Sequence, residues 1–118
     1  MQHPLQISFH GLDPSPEVEV RVRERVARIE RHHGRITACR VVVESSARHG
    51  GKGHHFRVAI DVSVPGAEIV VNRAPAKDKA HADVYVAVRD AFDAADRQLA
   101  EHFRRRRGEV KSHREPDA

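Results

Sequence analysis

The 118-residue sequence is poor in cysteine and aromatic residues, with one cysteine, no tryptophan, one tyrosine and four phenylalanines. The single cysteine, Cys39, excludes an internal disulfide, and its place in the apolar run of residues 39–43 predicts a buried core position. The scarcity of aromatics argues against a sheet that stacks unpaired RNA bases. No apolar run reaches the roughly 20 residues of a membrane helix, and the first residues do not form a basic-then-apolar signal segment. We therefore expect a cytoplasmic protein without membrane contact.

Charge is plentiful and biased toward cations. Charged residues make up 32% of the chain, and 21 Lys and Arg against 17 Asp and Glu give a net charge of +4 with histidines neutral. This excess favours a polyanionic partner. The length suits one folded unit, so we predict a single domain over residues 1–111 and a disordered tail over residues 112–118.

The first third of the chain predicts a strand and a helix. Residues 5–9 alternate apolar and polar side chains, which is typical of a half-buried strand. Ser15 and Pro16 supply a helix cap and a first helical residue, and Gly34 is placed to end the helix. The stripe that this helix would bury consists of Val18, Val22, Val26 and Ile29.

The rest predicts three strands and a second helix. We expect strands over residues 36–44, over residues 55–64 and from Ala67, with Pro65 and Gly66 as a turn and with loops over residues 45–53 and 72–82. Asp83 should cap the last helix, which reaches at least Phe103 and frays through residues 104–107 before Gly108. Its predicted core stripe is Tyr85, Val88, Phe92, Ala95 and Leu99.

The predicted fold class is α+β, in the order β-α-β-β-β-α. Each helix and each strand has one apolar face, so the simplest packing places two helices on one face of a four-stranded sheet. The first two strands, joined through a helix, should be parallel neighbours with a right-handed crossover.

The basic residues concentrate around the last helix, and this distribution predicts a phosphate-binding surface. Arg89, Arg97, Arg104 and Lys111 recur at spacings of eight, seven and seven, so they share one flank of the helix, together with Asp93 and Asp96. Arginine makes bidentate contacts to phosphate, and bound cations release condensed counterions. The candidate RNA-binding residues are Arg73, Lys77, Lys79, Arg89, Arg97, Arg104, Arg105, Arg106, Arg107 and Lys111.

Other groups of residues have simpler interpretations. Three of the five arginines of the first helix follow a glutamate by four residues, which is typical of an exposed helix stabilised by its own ion pairs. No histidine spacing predicts a zinc site, and no catalytic motif or phosphate-cradling glycine loop is present. We therefore predict no metal, no cofactor, no small-molecule substrate and no enzymatic activity.

From Leu5 to about Lys111 the chain resembles the family of ribosome-associated inhibitors and hibernation-promoting factors. The most specific part is residues 83–88, Asp-Val-Tyr-Val-Ala-Val, followed by Phe92-Asp93 and by Arg97-Gln98-Leu99 before a basic helix end. The family pattern is Asp-x-Tyr-x-Ala-Ile, an Asp-Lys-Leu step, and Arg-Gln-Leu. Ala94 departs from it, since the family usually has lysine there.

The resemblance implies a factor that binds the small ribosomal subunit through ribosomal RNA and occludes the channel of messenger and transfer RNA. By position, Arg97 matches a basic residue of the family, and residues 104–107 match its basic helix end. The resemblance also implies a short form without a further C-terminal domain, and we expect a monomer when free. Two alternatives stay open: a module for structured double-stranded RNA, and a protein-interaction module whose basic end is incidental.

Overall fold

The computed structural model describes the backbone of residues 1–47, 54–73 and 83–114, and the side chains of residues 1–45, 55–72 and 83–108. Its element order, β-α-β-β-β-α, confirms the predicted α+β fold. The elements are β1 (Gln6–His10), α1 (Pro16–His33), β2 (Ala38–Ala47), β3 (His54–Val64), β4 (Ala67–Arg73) and α2 (Val84–Arg114).

The four strands form one sheet in the order β1-β2-β3-β4. β1 and β2 are parallel, as predicted, and the other two neighbouring pairs are antiparallel. Ile7, Val41, Ile60 and Val71 lie opposite one another across the sheet. The last three are buried in the same core cluster as the apolar stripes of both helices, so both helices cover this face. The alternate residues of each strand lie on the other, helix-free face.

Helix α1 begins and ends where its capping residues predict. The Ser15 hydroxyl accepts a hydrogen bond from the Val18 amide at 3.3 Å. Gly34 adopts a left-handed conformation with φ 71°, and its N–H donates to the Glu30 carbonyl at 2.8 Å. The predicted stripe, Val18, Val22, Val26 and Ile29, is at most 3% exposed.

Helix α2 is longer than the sequence predicts. The Asp83 carboxylate caps it by accepting from the Tyr85 amide at 2.9 Å. The helix then runs 31 residues to Arg114, passing Gly108 without a break. The expected fraying at residues 104–107 is therefore wrong, because a glycine inside a helix costs only about 1 kcal/mol and does not end it unaided. Residues 112–114 of the expected tail form the last turn, and residues 115–118 lie outside the described residues.

The second core stripe is right except at its first member. Val88, Phe92, Ala95 and Leu99 are fully buried. Tyr85, which the helical spacing assigns to the core, is 37% exposed. It lies in the first turn of α2 and its ring faces the Arg21 side chain of α1 rather than the sheet. Helical spacing predicts which side of a helix a residue occupies, but not how fully the neighbouring elements cover it.

The strand ends differ from those predicted. β1 is shifted by one residue, from residues 5–9 to Gln6–His10, and β3 begins one residue earlier, at His54. β2 begins at Ala38 rather than at residue 36 and continues to Ala47, and β4 continues to Arg73. The extra residues have partners across the sheet: Ala47 lies opposite His54, and Arg73 lies opposite Val58. Pairing of backbone groups overrides the weak strand propensity of Ser and Asn. The remainder of both predicted loops, residues 48–53 and 74–82, lies outside the described residues.

Candidate nucleic-acid interface

Three ring contacts define how the helices lie beside each other. The Arg21 guanidinium carbon is 5.5 Å from the centre of the Tyr85 ring, and that of Arg25 is 5.6 Å from the centre of Phe92. His33 stacks on Phe103 with 5.8 Å between ring centres. The residue numbers of the contacting pairs increase in the same direction along both helices, so α1 and α2 run parallel. α2 continues 11 residues beyond Phe103, which contacts the last residue of α1, and this extension carries the run of four arginines.

Arg25 is buried between the helices instead of lying on an exposed face. Its side chain is 12% exposed, and its Nη2 donates to Asp93 Oδ1 at 2.8 Å and to Asp96 Oδ2 at 3.2 Å. The sequence placed both acids on the basic flank of α2, where they would repel phosphate. Because both point at Arg25, that cation matches one of their two negative charges within the domain. The interpretation of all α1 arginines as exposed helix stabilisers is wrong for this residue.

The arginines at the basic end of α2 point in different directions. At 100° per residue, Arg97, Arg104 and Arg107 lie within about 80° of one another, away from the sheet. Arg106 lies on the opposite side of the helix. A Cβ added to Gly66 would be 3.2 Å from Arg106 Nη1, so the Arg106 side chain packs near the β3–β4 turn. Arg105 lies toward β4, in a cleft that it shares with Ile69, Glu101 and Arg97. The sequence run therefore does not form one patch.

Some of these cations have acidic partners. Arg89 pairs with Asp90 at 3.2 Å, and Arg105 pairs with Glu101 at 3.3 Å. Glu101 also accepts from Arg104. Within the part of the chain that the structure describes, no carboxylate lies within 4.0 Å of a side-chain nitrogen of Arg97, Arg106 or Arg107. All three are exposed, so they are available to a polyanion.

Two further free cations come from α1, and the sequence reasoning missed them. Arg28 and Arg31 are exposed and have no carboxylate within 4.0 Å among the described residues. The expected Glu24–Arg28 pair is absent there, since Glu24 lies 3.6 Å from Arg21 instead. Arg28 follows Arg21 by seven residues and so points to the same α2 side. The sequence did contain an indication that these arginines are unpaired, because Glu30 is the only acid of α1 after Glu24. In the structure Glu30 binds the N-terminal amine at 2.7 Å.

We call the resulting set the outer helix surface. It gathers exposed arginines of both helices on the side that faces away from the sheet: Arg28, Arg31, Arg89, Arg97, Arg104 and Arg107. Lys77 and Lys79, and the side chains of Arg73 and Lys111, lie outside the described residues. Their role in binding stays a prediction.

Other chemistry finds little support in the described residues. Burial and the charges of Asp61 and Glu30 raise the pKa of the Cys39 thiol to about 12, so it stays protonated near neutral pH and is a poor nucleophile. Its burial confirms the core prediction. Among the described side chains, those of residues 1–45, 55–72 and 83–108, no three His, Cys, Asp or Glu are grouped to hold a metal ion. None of the helices in those ranges has the length and apolar character of a membrane span.

Comparison with known proteins agrees with this fold. Residues 5–107 match the family model described as sigma 54 modulation protein / S30EA ribosomal protein. A ribosome hibernation promoting factor of Azotobacter vinelandii is 33% identical over 100 residues, covering 83% of this chain and 80% of that protein. One of Pseudomonas putida is 29% identical over 98 residues, covering 83% and 84%.

Solved structures share the fold at lower identity. A ribosomal subunit interface protein from Coxiella burnetii superposes with a TM-score of 0.65 at 19% identity, covering 83% of this chain and 94% of that one. The N-terminal domain of Thermus thermophilus Protein Y gives 0.63 at 21% identity, covering 82% and 94%. The family match spans most of the sequence, from the first strand to the basic end of α2. The chain therefore belongs to the sigma 54 modulation protein / S30EA ribosomal protein family.

Proposed function

We propose that this protein is a ribosome hibernation factor that binds the small ribosomal subunit through ribosomal RNA and blocks the channel used by messenger and transfer RNA. The observation that carries the proposal is the outer helix surface, where Arg97 and Arg107 are exposed without a described acidic partner. The names of the Azotobacter and Pseudomonas relatives support the hibernation role.

The chemistry of the surface suits a folded RNA. Guanidinium groups bind phosphate in a fork geometry, and each neutralised phosphate releases counterions. None of the described side chains of this surface is aromatic, so contact with the backbone is favoured over reading of unpaired bases. Parallel helices at a fixed spacing present these cations on a rigid layer, which favours binding by shape.

The proposed mechanism is occlusion without chemical turnover. A domain of this size that is anchored by charge excludes other molecules from the RNA that it covers. It acts in the cytoplasm, where ribosomes are, and as a monomer. It uses no cofactor, and protein synthesis stops because the messenger and transfer RNA sites are filled.

Neutralising three arginines of the surface tests the proposal. The variant Arg97→Gln, Arg104→Gln, Arg107→Gln should bind purified small subunits more weakly in sedimentation at several salt concentrations. The slope of log affinity against log salt should fall by about 0.7–0.9 for each phosphate that the variant no longer neutralises. The same variant should inhibit a reporter messenger less in a purified translation reaction.

The control removes the same charge elsewhere. Arg23 points away from α2, while Arg40 and Arg57 lie on the helix-free face of the sheet. Their triple glutamine variant should keep the wild-type slope. An equal decrease of affinity in both triple variants would mean that net charge, and not the outer helix surface, determines the affinity. Equally tight binding of the wild type to an unrelated duplex RNA would favour the general RNA-binding alternative instead.

A further inference from the structure

A shallow cleft lies at the other end of the helix pair from the run of arginines. It has a volume of about 400 Å³ and is lined by Glu17, Val20, Arg21, Glu24 and Tyr85. We call it the Tyr85 cleft. Its two apolar side chains face solvent: Val20 is 57% exposed and Tyr85 is 37% exposed. The outer helix surface does not use any of these residues.

The charge of the cleft is the reverse of that of the outer helix surface. Its single cation, Arg21, is occupied by Glu24 at 3.6 Å and by the Tyr85 ring. Glu17 accepts a hydrogen bond from the Ser15 hydroxyl at 3.3 Å. No cation lies within 4.0 Å of its carboxylate among the residues that the structure describes. Two glutamates against one arginine leave the cleft with net negative charge.

These observations favour a protein over a nucleotide as the occupant. A base stacked on Tyr85 would bring its phosphates close to Glu17 and Glu24, and like charges oppose binding. An exposed tyrosine beside an apolar side chain and an arginine has the composition of a protein-binding anchor. The acidic rim then calls for lysine or arginine on the partner. Proteins that sit on an RNA scaffold carry such residues to neutralise phosphate.

We propose that the Tyr85 cleft binds a lysine- or arginine-rich protein segment of the small ribosomal subunit, which places an apolar side chain against Val20 and Tyr85 and cations near Glu17 and Glu24. The inference rests on the proposed ribosome binding. It adds a second contact of opposite charge, so that RNA lies along the outer helix surface and protein lies at the Tyr85 end of the two helices. Such a pair of contacts fixes the orientation of the domain as well as its affinity.

Reversing the acidic charges of the cleft tests the proposal, because a basic protein partner and an RNA partner predict opposite changes in affinity. The full-length variant Glu17→Lys, Glu24→Lys adds positive charge, which would strengthen binding to RNA. If the cleft binds a basic protein segment, this variant should bind purified small subunits about tenfold more weakly than the wild type. The control Glu44→Lys, Glu68→Lys adds the same charge on the helix-free face and should bind as tightly as the wild type or tighter.

Tighter binding of the cleft variant than of the control would overturn the proposal in favour of RNA. Binding equal to that of the control would overturn it as well, since the cleft would then have no partner. Failure of the wild type to bind small subunits would refute the proposed function first. Circular dichroism of each variant checks that α1 is intact, and the neutral variant Glu17→Gln, Glu24→Gln should weaken binding by a smaller factor.

Crosslinking identifies the class of the neighbour directly. A photoreactive benzoylphenylalanine replaces Val20 in one full-length protein and Val70 in another, since Val70 is 55% exposed on the helix-free face. Illumination of the complexes with purified small subunits should join position 20 to a Lys- or Arg-rich ribosomal peptide, identified by mass spectrometry. Position 70 should give no such product. A crosslink from position 20 to RNA, or none at all in a complex that sediments intact, would overturn the proposal.

Discussion

Arg25 and Arg97 are both helix arginines on the same side of the sheet, yet their surroundings differ completely. Arg25 lies between the helices, with its side chain 12% exposed and two aspartates within 3.2 Å. Arg97 is exposed, and no described carboxylate reaches it. One cation holds the domain together, while the other is free to bind an external anion.

This difference teaches that charge counting along a helix does not identify a binding surface. In sequence, Asp93 and Asp96 dilute the basic flank of α2. In the fold both are turned toward Arg25, which matches one of their two charges, so they dilute the flank less than the sequence indicates. A cation between the helices that engages two acids thus reduces the negative charge that they present at the surface.

Replacing Arg25 should give the largest change in stability. Arg25→Ala leaves Asp93 and Asp96 without their cation, and Asp96 Oδ1 already lacks a hydrogen-bond partner. We expect the free energy of unfolding, from urea titration followed by circular dichroism, to fall by about 2–3 kcal/mol. The decrease is below that of a fully buried pair because Asp93 is 48% exposed. Arg97→Ala should change it by less than about 0.5 kcal/mol.

A double variant separates charge from packing at this site. Arg25→Met with Asp96→Asn keeps side-chain volume over Phe92 and leaves fewer unpaired charges. It should be less destabilised than Arg25→Met alone, which keeps the same volume but leaves both aspartates unpaired, since uncompensated charge is the main cost. If the two variants were equally destabilised, packing rather than charge would explain the role of Arg25, and the comparison with Arg97 would fail.

The partly matched arginines at the end of α2 sharpen the comparison at a smaller scale. Glu101 binds both Arg104 and Arg105. Glu101→Gln should release them and raise the affinity for small subunits about threefold, since exposed pairs are worth roughly 0.2–1 kcal/mol. The control Glu19→Gln frees Arg23, which Glu19 binds at 3.0 Å on the side of α1 away from α2. An equal rise in affinity in both variants would mean that net charge alone sets the affinity.

The fold was predictable because its signals are local. Periodicity indicated the buried stripe of α1, and the capping residues Ser15 and Gly34 indicated its ends. The ends of β2 and β4 were missed because they depend on pairing with β3, which local propensity does not contain. The exposure of Tyr85 was missed for a similar reason, since it depends on how the neighbouring elements cover the first turn of α2.

The candidate site was predictable only in part. The sequence located the basic helix and included Arg97, Arg104 and Arg107. It also grouped Arg106 with them, although that residue packs near Gly66 on the opposite side. Arg28 and Arg31 were grouped with the helix-stabilising arginines. For Arg28 the reason was Glu24 four residues earlier, but Glu24 pairs with Arg21 instead. Which of two possible pairs forms is decided by the neighbouring helix, not by spacing.

The smallest expected effect tests whether the free cations stand on a continuous helix. A Cβ at Gly108 would meet no atom within 4 Å, so Gly108→Ala should stabilise the end of α2. The increase in unfolding free energy should be about 0.5 kcal/mol, with less than a twofold change in affinity for small subunits. Gly34→Ala is the opposite control, because φ 71° there strains any side chain and should cost about 1–2 kcal/mol. If Gly108→Ala also destabilised the protein, residue 108 would lie in a turn, and Arg104 and Arg107 would stand at a helix end instead of within a continuous helix.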